Sequence, residues 1–554
     1  MVNGLINEYI SPKRVIAQSD NLINVQALFS NKEKQVFLTQ NNLISCKGKG
    51  YIILDYGREY CGGIRILTHR FIGQNSFGNI RIRFGESVSE TCAEIGEKNA
   101  GNHHSVRDFT VALPTLCDQT FGDTGFRFVR IDFLEDIEYN LINIYASIWR
   151  KDIEFIGDFN CSDNLINEIF KTAKYTLYLT MQKYLWEGVK RDRLVWIGDM
   201  QQQVLAITYL FGKNELVEKS LKESVLKNPL PCWFGNIPSY SLLFIQIIYE
   251  YYLKVKNTEF VLEMLPYMEG VLEQLDKCVD NQGNIDYSLI SVDARNDYFI
   301  DWPTHKTNDA KYGNNYLYII ILNNFKKLYS SLGFKINPLC DKVIEKLNKI
   351  EYQDIKAKQI VSLGFFANKI DKEETAKKLT NGGAKGLSTF MSYHILKALS
   401  KSAGMADALD ILKEYYGGMI SRGATTFWED FDVEWLKDSG RIDDLPIEGQ
   451  KDLHGDFGEF CYKGFRHSLC HGWSCGPISF LFEDVLGVKV LDAGCETIMI
   501  KPNLGKLTYC KGTFPTPKGN VYIEHKLIDG RVETKIDAPS EIKIIKGVDY
   551  DYNR

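Results

Sequence analysis

Two segments of the chain gather carboxylates beside tryptophans. WEGVKRDRLVWIGDM (186–200) sets Glu187, Asp192 and Asp199 among Lys190, Arg191, Arg193, Trp186 and Trp196. SRGATTFWEDFDVEWLKD (421–438) presents Glu429, Asp430, Asp432 and Glu434 near Trp428 and Trp435. A carboxyl packed against aromatic surface loses hydration; its pKa shifts, and it can then serve as an acid or a base. Sugar cleavage uses two such groups, a protonated carboxyl on the leaving oxygen and a carboxylate opposite it. In the inverting mode the second activates water, and the pair stands about 6.5–9.5 Å apart. Tryptophans would cover the apolar face of a sugar while charged groups hold its hydroxyls. Residue types alone equally allow a structural ion-pair loop in the first segment and a charged helix end in the second.

The whole chain narrows the partners. Its 554 residues exceed one ordinary domain and suggest three or four units of roughly 150 residues. Composition is globular: 44% hydrophobic, 25% charged and 12% aromatic. The net charge of −5 is spread over mixed signs without a long basic tract, which argues against nucleic acid or an anionic membrane as the main partner. The segment MVNGLINEYISPKRVIAQSD lacks an apolar core long enough for a secretion signal, and the most apolar run, YLYIIIL (316–322), is too short to span a bilayer. A cytoplasmic location is the simplest expectation. The 13 cysteines are odd in number and scattered, which is not a disulfide framework. Cys461, Cys470 and Cys475 lie near His467 and His471, but no CxxC pair occurs and the spacing fits no common structural zinc site. Buried thiols are expected there, with no metal and no other cofactor. No nucleotide-binding glycine loop or thiol dyad offers a rival chemistry.

The elements that must position the two segments follow from periodicity. YIILDYG (51–57), GGIRILTHRF (62–71), NIRIRFGES (79–87), FTVALP (109–114) and FRFVRIDFL (126–134) alternate or run apolar between Gly, Asn and Asp, which predicts a sandwich over 1–157. From CSDNLINEIFKTAKYTLYLTMQKYL (161–185) the period becomes helical, with Ser162 and Asp163 as N-cap residues. Helices are predicted at 214–227, 241–255, 259–279, 314–332, 340–350, 372–379, 388–402 and 405–420. Helix upon helix across 158–487 fits an α/α toroid or solenoid. Residues 496–504, 507–536 and 540–548 return to alternation with turn signals, so a small C-terminal sandwich over 488–554 completes a β, α, β plan.

At the two segments a resemblance becomes specific. The order arginine, acid, three residues, Trp, any residue, Gly, Asp, here Arg191, Asp192, Trp196, Gly198 and Asp199, resembles a signature of the α-L-rhamnosidases of glycoside hydrolase family 78. Gly-Ala-Thr-Thr-x-Trp-Glu, here Gly423 to Glu429, is similar to that family's second signature. Asp301-Trp302 resembles a further substrate-pocket pair. LDYGREYCGG, RFGES, GFRFVRI and the tail from VLDAGCETIMI onward extend the resemblance over nearly the whole chain. It implies an (α/α)6 toroid catalytic domain flanked by an N-terminal β-sandwich and a small C-terminal β-sandwich. It also implies an inverting exo-acting enzyme that releases terminal α-L-rhamnose from small rhamnose-containing oligosaccharides or glycosides. By position, Asp192 would be the general acid and Glu429 the general base. Glu187, Arg191, Trp196, Asp199, Asp301, Trp302, Trp428 and His471 would contact the sugar.

The pattern departs from the family in acid length. The family's acid is usually glutamate and here is Asp192, while Glu187 stands for a usual aspartate. A change in reach on the order of 1 Å costs much of the rate in a positioned site. Three consequences are open: a closer backbone keeps Asp192 as acid, Glu187 takes over proton donation, or the substrate differs or activity is lost. The alternatives to a rhamnosidase are therefore a toroid glycosidase of other specificity and a non-catalytic carbohydrate-binding relative. An Asp192 turned away and paired only with Arg193 or Lys190 would move the acid role to Glu187 or to none.

Overall fold

A computed structural model describes residues 4–30, 34–73, 77–291, 298–305, 307–350 and 354–547, without the Cys461 side chain of the histidine–cysteine cluster. The chain divides into two compact units. The first comprises Met1–Asp152, Tyr178–Leu194 and Gly418–His471; the second comprises Ile153–Leu177, Val195–Gly417 and Gly472–Arg554.

The first unit is built on a nine-stranded sheet. Its strands are β1 (Leu5–Ile10), β2 (Arg14–Gln18), β3 (Leu22–Ile23), β4 (Ile44–Lys47), β5 (Gly50–Thr68), β6 (Phe77–Gly85), β7 (Asp108–Pro114), β8 (Asp118–Phe133) and β9 (Glu138–Lys151). The order is β3-β4-β9-β5-β8-β6-β7, with β1 on β9 and β2 on β5, and all pairings are antiparallel. The two sequence runs at 51–57 and 62–71 form one 19-residue strand, β5. It stays continuous because of Gly62 and Gly63. A Cβ on Gly62 would lie 2.1 Å from the Ser147 carbonyl oxygen of β9, and one on Gly63 would lie 2.2 Å from the Phe121 carbonyl of β8. Only glycine lets the three backbones close on one another there. Ile52, Leu54, Ile64, Ile66, Ile80, Ile82, Phe84, Phe126, Val129, Ile131 and Ile144 form the core of this unit. β9, absent from the alternation pattern, is buried along ten consecutive residues.

The second unit carries the longer helices. Asn164–Thr180, Glu215–Lys227, Pro238–Val255, Thr258–Cys278, Ala310–Ser331, Pro338–Leu347, Lys372–Thr380, Ser392–Ser402 and Met405–Ser421 fall where the helical period predicts them, within a few residues. Their starts have local causes. Asp163 Oδ1 accepts from the Leu165 and Ile166 amides at 2.9 and 3.2 Å. Asn214, Asn257, Asn337 and Asp371 cap in the same way, and Pro338 fills the first turn after Asn337. Two of the longer helices are additions to the sequence expectation. Met200–Leu210 begins where a loop was expected to end, and all eleven of its residues are buried. Lys358–Phe366 is buried from Lys358 to Gly364. Asp158–Cys161 joins Tyr509–Thr516, Gly519–Ile528 and Arg531–Asp537 in a four-stranded sheet, and Val488–Val490, Thr497–Ile500 and Lys543–Lys546 form a three-stranded one. No helix among the described residues is long and apolar enough to cross a membrane.

Candidate functional site

In the first unit, backbone pairing draws three remote stretches together. Gly188 bridges His471, and a Cβ at Gly188 would stand 3.2 Å from the Cys470 carbonyl. The Glu429 amide donates to the Ser468 carbonyl at 2.9 Å, and the His471 amide donates to the Phe427 carbonyl at 3.0 Å. The Thr426 hydroxyl donates to the Leu469 carbonyl at 2.7 Å. HSLCH (467–471) is thus a strip to which both carboxyl-bearing segments are laced. The sheet holds the second segment from behind. Arg127 on β8 clasps Asp55 on β5 with two bonds of 2.9 Å and donates to the Gly423 carbonyl at 2.8 Å.

The two proposed proton carriers meet at one guanidinium. Arg191 Nη2 bonds Glu429 Oε1, and Arg191 Nη1 lies 3.3 Å from Asp192 Oδ1. Glu429 is buried; its Oε2 accepts from the Ser468 amide at 3.1 Å, and His471 Nε2 lies 3.9 Å from its Oε1. Burial, reinforced by Arg191, holds the His471 imidazole well below the usual histidine range, hence neutral. His467 is likewise neutral, because burial outweighs the pull of Glu429. Its Nε2 accepts from the Asp430 amide at 2.9 Å, so the proton sits on Nδ1.

Asp192 is not paired with Arg193 or Lys190. Its Oδ1 takes Arg191 and, at 2.9 Å, His104 Nε2. Asp192 and Arg193 both have positive φ, 59° and 56°, an uncommon geometry for residues with a Cβ. That turn sends Arg193 away, to the Asp123 carboxylate at 3.0 Å and over the Trp186 ring at 4.6 Å. Glu187 closes the same loop in both directions. Its amide donates to the Leu194 carbonyl at 3.2 Å, and its Oε2 accepts from the Leu194 amide at 2.8 Å. That oxygen is occupied by backbone, whereas Asp192 is partly open.

Beneath this layer lies a buried charge network absent from the sequence-level candidates. Lys190 Nζ reaches Glu86 at 3.0 Å, Glu90 at 3.2 Å, and the carbonyls of Phe465 and His467 at 2.9 and 2.7 Å. Glu86 Oε2 accepts from the Leu469 amide at 2.6 Å, and its Oε1 lies 3.2 Å from the Ser468 hydroxyl. Burial pushes the Glu86 carboxyl up to about 7 against the opposing pull of Lys190. Glu86, Glu90 and His454 cluster closely enough to suggest metal ligands. Both His454 nitrogens are engaged, however: Nε2 with the His467 carbonyl at 2.9 Å and Nδ1 with the Ser87 hydroxyl at 2.7 Å. The Lys190 ammonium already supplies the cation.

The second unit organises its candidate residues around aromatic rings. The Tyr240 hydroxyl donates to Asp199 Oδ1 at 2.6 Å, and Trp196 meets the Tyr240 ring edge-on at 6.3 Å. A Cβ on Gly198 would lie 2.1 Å from that ring, so the Trp-x-Gly-Asp spacing wraps one tyrosine. Tyr240, Phe299 and Trp302 continue the contact at 5.8 and 5.2 Å. Asp301 is fully buried; Oδ1 accepts from the Thr304 amide and hydroxyl at 3.0 and 2.5 Å, and Oδ2 from the Ser388 hydroxyl at 2.5 Å. Burial raises its pKa against those hydrogen bonds.

Comparisons with known proteins bear on both units. Residues 154–337 match the model of the family described as bacterial alpha-L-rhamnosidase 6 hairpin glycosidase domain. That segment belongs to the bacterial α-L-rhamnosidase family. An α-L-rhamnosidase of Alteromonas sp. (strain LOR) is 22% identical over 549 residues, covering 89% of this chain and 55% of that protein. The crystal structure of the GH78 family rhamnosidase of Bacillus sp. GL1 superposes with a TM-score of 0.71 at 20% identity, over 92% of this chain and 55% of that one. A rhamnosidase from Klebsiella oxytoca with rhamnose bound gives 0.64 at 18% identity, over 86% and 95%. The chain thus spans about half the length of the Alteromonas and Bacillus proteins. The structural likeness identifies a mixed α and β multidomain rhamnosidase fold.

Of the candidate residues, the first unit gathers Glu187, Arg191, Asp192, Trp428, Glu429 and His471. Trp196, Asp199, Asp301 and Trp302 belong to the second unit. Sequence reading missed Ser468, Glu86 and His104 as partners, and named Lys190 only as a possible partner of Asp192, where the structure pairs it with Glu86 and Glu90. The one available signal was the charge of RFGES and KRDR, whose pairing needs the fold.

Proposed function

We propose that the protein is an inverting exo-glycoside hydrolase that releases terminal α-L-rhamnose from small oligosaccharides or glycosides. Asp192 is its general acid and Glu429 its general base. The observation that carries this reading is the Arg191 guanidinium, whose two terminal nitrogens hold one oxygen of each carboxyl group. Groups tied to one guanidinium stand closer than the roughly 9.5 Å upper limit of inverting pairs. Glu429 keeps its base role because the Ser468 amide and Arg191 fix both its oxygens. Glu187 is a poorer acid candidate, since the Leu194 amide occupies its Oε2.

Arg191, Glu187, Trp428 and His471 are proposed to contact the sugar. The buried Trp428 indole N–H has no hydrogen-bond partner among the described residues, and a sugar hydroxyl would satisfy it. Trp196, Asp199, Asp301 and Trp302 are assigned to the sugar on the family resemblance, as are the (α/α)6 arrangement of 158–487 and the flanking sandwiches at 1–157 and 488–554. A cytoplasmic site of action is supported by free thiols at all twelve described cysteines. The bound rhamnose of the Klebsiella relative supports the sugar. The test is release of p-nitrophenol from its α-L-rhamnoside. Wild-type turnover lost in Glu429→Gln and Asp192→Asn supports the reading; full activity in both variants refutes the roles, and rhamnose binding without turnover favours a binding protein.

A further inference from the structure

Asp192 is one methylene shorter than the glutamate usual in the family, and the structure supplies a partner for it from the sheet. The loop before β7 is pinned at its base by Asn102, whose Oδ1 accepts from the Arg107 and Asp108 amides at 3.0 and 3.1 Å and whose Nδ2 donates to the Asp108 carbonyl at 2.9 Å. Its tip grips the acid loop. The Ser105 hydroxyl donates to the Lys190 carbonyl at 2.6 Å, and Arg193 donates to the Asp123 carbonyl and carboxylate at 2.8 and 3.0 Å. Between these clasps His104, at φ 58°, puts Nε2 2.9 Å from Asp192 Oδ1. Arg191 Nη1 approaches the same oxygen at 3.3 Å. Oδ2 makes no hydrogen bond among the described residues. The pair is also reachable: His104 is 39% and Asp192 17% exposed at the side chain.

We infer that His104 is a positioning residue of the general acid, fixing Asp192 by Oδ1 so that Oδ2 carries the proton delivered to the leaving oxygen. The inference rests on Asp192 being the acid. His104 donates Nε2–H to Oδ1, and Oδ1 acts as the carbonyl oxygen of the protonated carboxyl. As the C1–O glycosidic bond breaks, its electron pair stays on the leaving oxygen, which takes the Oδ2 proton. Water gives a proton to Glu429 and its oxygen bonds C1. Asp192 is left as carboxylate and regains a proton from solvent, to which Glu429 returns its own. A side chain that rotates freely would present either oxygen, and a positioned donor removes that search.

The test compares two substrates that differ in their need for the acid: 2,4-dinitrophenyl α-L-rhamnoside, whose leaving group departs unprotonated, and methyl α-L-rhamnoside, whose leaving group needs a proton. His104→Ala is expected to lower kcat on the methyl glycoside by about 10- to 100-fold, within the range of general-acid contributions. On the dinitrophenyl substrate it should change kcat by less than about three-fold. His104→Gln, which keeps a side-chain N–H donor, should recover most of the loss. Asp192→Asn separates this proposal from the reading beneath it. If Asp192→Asn shows no leaving-group selectivity, Asp192 is not the acid. If it does while His104→Ala slows both substrates equally, or neither, or His104→Gln is no better than His104→Ala, the positioning role is overturned.

Discussion

Replacing Lys190 by methionine probes what holds the HSLCH strip. The ammonium sits on two buried carboxylates, Glu86 at 3.0 Å and Glu90 at 3.2 Å, and donates to two carbonyls of the 465–467 turn. Methionine fills the stem and leaves the acidic pair without that cation. Breaking a buried pair by removing one partner costs about 3–5 kcal/mol. Part of that cost is escaped by proton uptake. Burial already holds Glu86 at about 7 with Lys190 present, and loss of the lysine raises it further. A carboxyl whose folded pKa lies above its unfolded value favours the fold at low pH and loses that advantage as pH rises through the folded pKa. The Lys190→Met penalty should therefore be larger at pH 8.5 than at pH 5.5. Urea titration of wild type and variant at both pH values, followed by a fluorescence signal from the first unit, reads the difference. A loss under about 1 kcal/mol at pH 8.5, or an equal loss at both pH values, would refute the assignment of Lys190 as the neutralising cation.

Further perturbations probe other parts. Arg191→Met removes the cation between Glu429 and Asp192, and kcat should fall by about 100-fold or more, as for a misplacement near 1 Å; activity within ten-fold of wild type would contradict the shared-guanidinium arrangement. Burial holds His394 down at about 4, so its contribution is complete above pH 6.5 and is lost as pH falls toward 4. That depression corresponds to about 3 kcal/mol. The melting temperature of the second unit should fall across this window, and less steeply in His394→Gln; an identical slope would count against it. Gly198→Ala would drive a methyl into the Tyr240 ring, 2.1 Å from its nearest atom, and should cost about 1–3 kcal/mol; an unchanged melting temperature would show that the ring yields freely.

Legibility in the sequence followed burial. Helices with one wet face were found to within a few residues, since a 3.6-residue period marks them. Met200–Leu210 and Lys358–Phe366 escaped because almost every position is buried and no polar stripe remains. β9 escaped for the matching reason, with ten buried residues in a row and no alternation. The site divides in the same manner. Glu429, Asp192 and Arg191 stand in compact motifs. Glu86 and Ser468 are 382 positions apart, and Asn102, His104 and Ser105 act through a loop whose meaning depends on β7 and β8 being neighbours of the acid segment. Local spacing carries the proposed reacting groups; their supports come from tertiary pairing.

The central claim is that Asp192 and Glu429 act from opposite faces of a rhamnoside. Early-time proton NMR of p-nitrophenyl α-L-rhamnoside hydrolysis tests it most directly. β-L-rhamnose should appear first and mutarotate afterwards, and neither anomer should accumulate with Glu429→Gln. Initial release of the α-anomer, or undiminished release by Glu429→Gln, would contradict it.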